Sequence, residues 1–182
     1  MQHLIDSRSA DALEYATKKH AGVNRRGGAP YITHPETVAA TVKRAKPDSH
    51  KLDDLVAAAY LHDTIENTDA TYEELLRLFG PNVTALVFEL TSDEDELKRL
   101  GKTEYLKRKF AGISSWGLVI KLADRLSNIA DLDEADVEWA TKYAKQTKEV
   151  VEYLRDNRKL TGTQENLVAE ISGIVSGYLN RH

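Results

Sequence analysis

Helical periodicity is the feature that most limits the folds open to this chain. Apolar residues recur every three or four positions through most of its 182 residues, whereas the alternation typical of strands is nearly absent. Boundary signals divide this pattern: Thr71 and Glu74 have capping-box spacing, Gly80 ends that helix and Pro81 opens the next. With no internal repeat or Pro/Gly/Ser linker, the sequence predicts one all-α domain over residues 1–182, a bundle of about eight to ten helices.

The composition indicates a soluble protein and argues against a nucleic-acid-binding, secreted or membrane-spanning one. Hydrophobic residues make up 41% and charged residues 30% of the chain, and the net charge is −4. This charge argues against nucleic acid as a partner, because phosphate binding needs a basic surface. No signal peptide is recognisable, and no apolar run approaches the roughly 20 residues of a membrane span. The absence of cysteine fits a reducing compartment. We therefore expect a cytoplasmic protein without a membrane partner, whose oligomeric state the sequence leaves open.

Four polar residues continue the apolar face of one predicted helix. When residues 52–67 are placed on a single helix, His62, Asp63 and Glu66 of the segment YLHDTIENT fall on its core-facing stripe, with Asn67 at the edge. A buried charge must be paired or bound to a metal. An isolated His-Asp pair is more often a satisfied core histidine beside a surface acid, but four inward-facing polar groups favour a functional site.

Two further segments supply candidate ligands. His34 lies at the start of a helix beside a glycine-rich loop, although an isolated histidine there is more often a cap or a surface residue. In GLVIKLADRLSNIADL, Lys121, Asp124 and Asn128 form a stripe at spacings i, i+3 and i+7. The stripe is equally typical of a solvated face and of a metal ligand flanked by groups that bind an anionic substrate.

Together these residues predict a mixed nitrogen and oxygen ligand set. Two imidazoles and two carboxylates suit Mn²⁺, Fe²⁺, Zn²⁺ or a similar divalent ion. With open coordination positions, such an ion lowers the pKa of bound water and polarises a phosphoryl oxygen. Glu66, one turn from His62, is expected to act as a general base or to orient water.

The order of these motifs resembles a known family. His34, then His62-Asp63, then Asp124 are similar to the H…HD…D signature of the HD-domain phosphohydrolases. The segments HAGVNRRGGAPYITHPETVA, AAYLHDTIENTDATYEELLRLFG and VIKLADRLSNIADL resemble the hydrolase domain of the RelA/SpoT family, and most closely its small alarmone hydrolases, the metazoan SpoT homologues. The similarity runs from about residue 8 to 132, and more loosely to about 160.

The resemblance implies an all-helical fold and a metal-dependent reaction on a small phosphorylated nucleotide. The implied reaction is hydrolysis of the 3′-pyrophosphate of guanosine tetra- or pentaphosphate, which gives GDP or GTP and pyrophosphate. The implied ligands of one Mn²⁺ are His34, His62, Asp63 and Asp124. The implied substrate-binding residues are Arg25, Arg26, Lys121, Asn128 and Tyr143.

One catalytic position departs from the family pattern. The family reads Glu-Asp where this chain reads Glu66-Asn67. An amide keeps an acceptor oxygen but cannot take a proton or supply negative charge. Three interpretations stay open: alarmone hydrolysis that relies on Glu66, the same chemistry on another phosphorylated nucleotide such as NADPH, and a non-catalytic nucleotide-binding regulatory domain.

Overall fold

The structure, a computed structural model, describes residues 7–25 and 27–182 of the chain. These residues contain ten α-helices, one 3₁₀ turn and no strand, which confirms the predicted all-α class. The chain divides into two compact units, Met1–Thr91 and Ser92–His182. The expectation of one domain over residues 1–182 stays a prediction.

The first unit is built around one apolar helix. That helix, α3 (Leu52–Leu61), is buried on nearly all sides, since a helix that is largely apolar must be covered. It packs against α1 (Arg8–Lys19), α2 (Thr33–Ala45) and α5 (Tyr72–Leu90). Gly80, with φ +77°, divides α5 immediately before Pro81, as the sequence predicts. The remaining helix of the first unit is α4 (Thr64–Asn67).

In the second unit, α10 (Gly162–Arg181) packs against α8 (Ser115–Ile129) and α9 (Val137–Asn157), and α7 (Lys102–Gly112) packs against α9. The core of this unit includes Phe110, Leu122 and Leu154, none of which is accessible to solvent. The Arg158 guanidinium donates to the Phe110 and Ile113 carbonyl oxygens at 3.1 and 2.6 Å, and so satisfies acceptors at the end of α7. The remaining elements of the second unit are α6 (Glu94–Leu100) and the 3₁₀ turn Leu132–Glu134. No helix in the described part of the chain is long and apolar enough to span a membrane.

Candidate metal and substrate site

The helix expected over residues 52–67 is in fact two helices. α3 ends before His62, α4 begins at Thr64, and Asp63 between them has φ −122° and ψ 6°. Two side chains satisfy carbonyl oxygens of the last turn of α3: His62 Nδ1 donates at 2.9 Å and Thr64 Oγ1 at 2.8 Å. These oxygens have no partner within the helix once it ends, so the two bonds stabilise the break.

The break separates the four polar residues. His62 and Asp63 are 4% and 5% exposed, whereas Glu66 and Asn67 are exposed on α4. The prediction that Glu66 lies on a core-facing stripe is therefore wrong. A helical period cannot be extended across a residue outside the helical region, because the next helix takes a new direction.

His34 lies against His62. It occupies the first turn of α2, is 4% exposed, and its ring centroid is 5.1 Å from that of His62, with the rings at 66°. One ring nitrogen of His34 lies within 4.8 Å of one ring nitrogen of His62. The entry to α2 is fixed by Thr33, whose hydroxyl and N–H both donate to the Pro30 carbonyl oxygen, at 2.8 and 3.1 Å. Pro35 is tolerated in this first turn, where its missing N–H would have no helical partner.

The donor chemistry of the first unit fits a divalent transition ion. Because a carbonyl can only accept, His62 Nδ1 must carry the proton of its bond to α3. The neutral form of the ring, which is the form that binds a metal, would then have its lone pair on Nε2. A histidine oriented by such a second hydrogen bond is typical of metal ligands. Two buried imidazoles and an adjacent buried carboxylate are ligands that Mn²⁺, Fe²⁺ and Zn²⁺ accept.

Asp63 is enclosed by three side chains from separate parts of the first unit, here called the Asp63 cage: His20, Tyr31 and Asn67. The Tyr31 hydroxyl donates to Oδ2 at 2.5 Å, Asn67 Nδ2 donates to the same oxygen at 3.3 Å, and His20 Nε2 lies 3.3 Å from Oδ1. Burial raises the pKa of Asp63, but the charge of His62, the approach of His20 and the hydrogen bond from Tyr31 outweigh it and hold that pKa well below its usual range. Asp63 is therefore ionised at neutral pH.

A narrow turn places Tyr31 in this cage. Two backbone hydrogen bonds form this turn, from the Arg25 N–H to the Ala29 carbonyl oxygen at 2.8 Å and from the Tyr31 N–H to the Val23 carbonyl oxygen at 2.9 Å. Gly28 supplies the φ of +86° that the turn requires. The closure sets the Tyr31 ring 4.6 Å from that of His20, centroid to centroid. Sequence reasoning gave neither residue a role at the site, because only the turn and the fold bring them to Asp63.

Of the two predicted basic residues, the structure describes only Arg25, which lies in the same turn. Arg25 is half-buried, and its backbone N–H donates to the Ala29 carbonyl oxygen at 2.8 Å. Arg26 lies outside the described residues. Their role in binding substrate phosphates stays a prediction.

In the second unit, α8 brings together the predicted polar stripe. Lys121 Nζ lies 3.1 Å from Asp124 Oδ2, and Asn128 Nδ2 donates to Asp124 Oδ1 at 2.6 Å. All three side chains belong to half-buried residues, so the stripe is neither core nor a fully solvated face. An ammonium and an amide beside a carboxylate can bind a phosphate next to a cation.

Tyr143 lies in a stack of planar groups on α9 and α8. The Trp139 ring is stacked on it with centroids 5.0 Å apart, and the Arg125 guanidinium lies 4.8 Å from its ring centroid. Burial raises the pKa of Tyr143, so this phenol stays protonated at neutral pH. Arg125 is 5% exposed and donates to Thr147 Oγ1 at 3.4 Å. The sequence does not predict its role, because the position of an arginine on the apolar side of one helix does not indicate which aromatic ring of another helix it contacts.

Comparison with known proteins identifies the family. The family model described as HD domain matches residues 12–161. The chain is 34% identical over 165 residues to the GTP pyrophosphokinase rsh of Brucella ovis, an alignment that covers 86% of this chain and 21% of that protein. It is 37% identical over 149 residues to the bifunctional (p)ppGpp synthase/hydrolase SpoT of Escherichia coli, with 79% and 20% covered. This chain spans about a fifth of the length of these curated relatives.

A solved structure matches almost end to end. It is that of a metazoan ortholog of SpoT that hydrolyses ppGpp and plays a role in starvation responses; the TM-score is 0.79, the identity 30%, and the match covers 94% of this chain and 95% of that one. The resemblance to RelA/SpoT-type hydrolases, based on the sequence motifs alone, is confirmed by these relatives. The chain belongs to the HD-domain family.

Proposed function

We propose that this chain is a divalent-metal-dependent phosphohydrolase that removes the 3′-pyrophosphate of guanosine tetra- or pentaphosphate. The observation that carries the proposal is the buried His34–His62 pair beside an ionised Asp63, in a chain of the HD-domain family. The activity of the metazoan ortholog of SpoT, which hydrolyses ppGpp, supports this substrate. The proposed enzyme acts in the cytoplasm on a small nucleotide, without nucleic acid or a membrane as partner.

The proposed cofactor is one Mn²⁺. His34, His62 and Asp63 would be its ligands in the first unit, and their burial and donor chemistry support that role. Asp124 is proposed as a further ligand on the family pattern alone. When bound, the ion supplies Lewis-acid stabilisation of the charge that develops on the phosphoryl group.

The reaction adds water across one phosphorus–oxygen bond. The water oxygen forms a bond to the phosphorus attached to the 3′ oxygen, the bond between that phosphorus and the 3′ oxygen breaks, and a proton passes from water to the leaving 3′ oxygen. Glu66 is exposed to solvent on α4, four residues after His62, and we assign it the transfer of that proton as general base. The products are GDP, or GTP from the pentaphosphate, and pyrophosphate.

The remaining predicted residues would bind the substrate. The Lys121 ammonium and the Asn128 amide, held on either side of Asp124, would neutralise and hydrogen-bond a phosphate. Tyr143, whose ring is already ordered by stacking on Trp139, would contact the nucleotide. Arg25, in the turn before α2, and its sequence neighbour Arg26 would bind the phosphates.

The amide at position 67 favours a second candidate, the same chemistry on another phosphorylated nucleotide such as NADPH. The Asn67 amide donates to the Tyr31 hydroxyl at 3.1 Å and to Asp63, so it offers no acid or base where the family has an aspartate. A catalytic role for Asn67 in proton transfer is thus not supported. Loss of a negative charge there would ease the binding of a different anionic group.

Purified protein with Mn²⁺ and a panel of nucleotides separates these candidates. We expect pyrophosphate release from guanosine tetraphosphate to exceed phosphate release from NADPH. Faster turnover of NADPH would establish the second candidate. Tight binding without turnover of any nucleotide would contradict both and identify a regulatory domain. A large gain in the Asn67→Asp variant on guanosine tetraphosphate alone would show that the natural substrate is another nucleotide or that activity on this one has decayed.

A further inference from the structure

Asn67, Tyr31 and Asp63 form a closed triangle of polar atoms. The Tyr31 hydroxyl lies 2.5 Å from Asp63 Oδ2, Asn67 Nδ2 lies 3.3 Å from the same oxygen, and Nδ2 lies 3.1 Å from the Tyr31 hydroxyl. The phenol has one proton, which it donates to the ionised carboxylate. Its oxygen then accepts from Asn67, whose NH₂ group has two protons to donate.

We propose that Asn67 is a positioning residue that, together with Tyr31, fixes the carboxylate of Asp63 in the orientation used to bind the metal. The inference rests on the proposed role of Asp63 as a metal ligand. It assigns to Asn67 a task that a carboxylate at the same position could not perform, because a carboxylate has no proton for either Tyr31 or Asp63.

The other oxygen of Asp63, Oδ1, has no hydrogen-bond partner among the described residues. His20 Nε2 lies 3.3 Å from it outside hydrogen-bonding geometry, and the His20 ring lies against Tyr31 with centroids 4.6 Å apart. The hydrogen bonds from Tyr31 and Asn67 therefore hold the carboxylate through Oδ2. A ligand that is already ordered loses less conformational freedom when the cation binds, and outer partners of this kind typically change metal affinity about 10- to 100-fold.

The chain contains a matched control for the Asn67 bond. Asn82 Nδ2 donates to Oδ2 of the buried Asp54 at 3.3 Å, the same length as the bond from Asn67 to Asp63. Both pairs lie in the first unit, and both asparagines are exposed. A general effect of removing an amide from a buried aspartate would therefore appear equally in Asn67→Ala and Asn82→Ala.

The test is calorimetric titration of Mn²⁺ into nucleotide-free protein. We expect Asn67→Ala and Tyr31→Phe each to weaken Mn²⁺ binding about 10- to 100-fold, and Asn82→Ala to bind as the wild type does. The double variant should lose less than the product of the two single losses, because both residues act on one oxygen. Thermal unfolding of each variant without metal controls for loss of structure.

Three results would overturn the inference. Wild-type affinity in Asn67→Ala and Tyr31→Phe would refute it and leave the proposed function intact. An equal loss in Asn82→Ala would show an effect of stability and not of position. If Asp63→Ala binds Mn²⁺ as tightly as the wild type, the proposed role of Asp63 fails and the inference fails with it.

Discussion

Two buried aspartates at opposite ends of α3 are held in different ways. Asp54, 6% exposed, lies in the first turn of α3, where the helix dipole favours an acid. Its carboxylate contacts the Arg8 guanidinium and lies 3.9 Å from Lys51 Nζ. This acid is neutralised by basic side chains.

Asp63 has the opposite surroundings. It follows the last turn of α3, where the dipole does not favour a carboxylate, and its cage consists of a phenol, an amide and an imidazole. The phenol and the amide orient the carboxylate, and His62, His20 and Tyr31 hold its pKa low enough to keep it ionised. Burial alone therefore does not identify a functional acid; the kind of partner does, because arginine already occupies the oxygens of its carboxylate partner and compensates its charge.

The largest expected difference between the two aspartates is in metal uptake. Asp63→Ala should abolish both Mn²⁺ uptake and turnover, because it removes a proposed ligand, whereas Asp54→Ala should retain both. Elemental analysis after gel filtration in Mn²⁺ measures uptake. Unchanged metal content in Asp63→Ala would refute the site.

The second difference is in stability. Asp54→Ala should lower the free energy of unfolding by about 1–3 kcal/mol, since it removes charge-assisted hydrogen bonds that fix the start of α3. Urea unfolding of metal-free protein measures this quantity. A loss of Mn²⁺ affinity in folded Asp54→Ala would show that the two aspartates are not separate in function.

The sequence predicts the helices well and the cage poorly. The boundary between the two parts of α5 follows from Gly80 and Pro81, whose backbone preferences are local. The break at His62 and Asp63 has no glycine or proline to announce it. The cage depends on Tyr31, which reaches Asp63 across 32 positions of the chain, and no local pattern contains such a contact.

Among the site residues, those placed by local helical spacing are predicted correctly, whereas one placed by the path of the chain is not. The spacing on α8 correctly brings Lys121, Asp124 and Asn128 into contact, because i, i+3 and i+4 neighbours meet on any helix. The exposure of Glu66 was mispredicted because its position depends on the new direction of the chain after Asp63.

Acid should reduce the contribution of Asp63 to the free energy of unfolding. Its pKa in the folded protein is lowered, so the ionised group stabilises the fold above the unfolded value of about 3.9, and this contribution is lost as the pH falls through the folded pKa. The free energy of unfolding of the metal-free wild type, relative to Asp63→Asn, should therefore be constant above about pH 5 and fall progressively as the pH is lowered below about 4. Urea unfolding at a series of pH values measures it, and a constant difference would contradict the lowered pKa.

The smallest effect concerns Lys51. Its ammonium lies 3.9 Å from Asp54 and the side chain is 43% exposed, and such surface pairs contribute about 0–1 kcal/mol. Lys51→Ala should change the free energy of unfolding by no more than that, with no change in Mn²⁺ affinity by calorimetry. A larger loss would mean that Lys51, and not Arg8, is the main partner of Asp54.

The most direct test of the proposed function is Mn²⁺-dependent pyrophosphate release from guanosine tetraphosphate by the wild type and by Asp63→Ala. We predict release of GDP and pyrophosphate by the wild type, its loss on chelation of the metal, and none from Asp63→Ala. Tight binding of guanosine tetraphosphate without release of pyrophosphate by the wild type, or equal release by Asp63→Ala, would contradict this account.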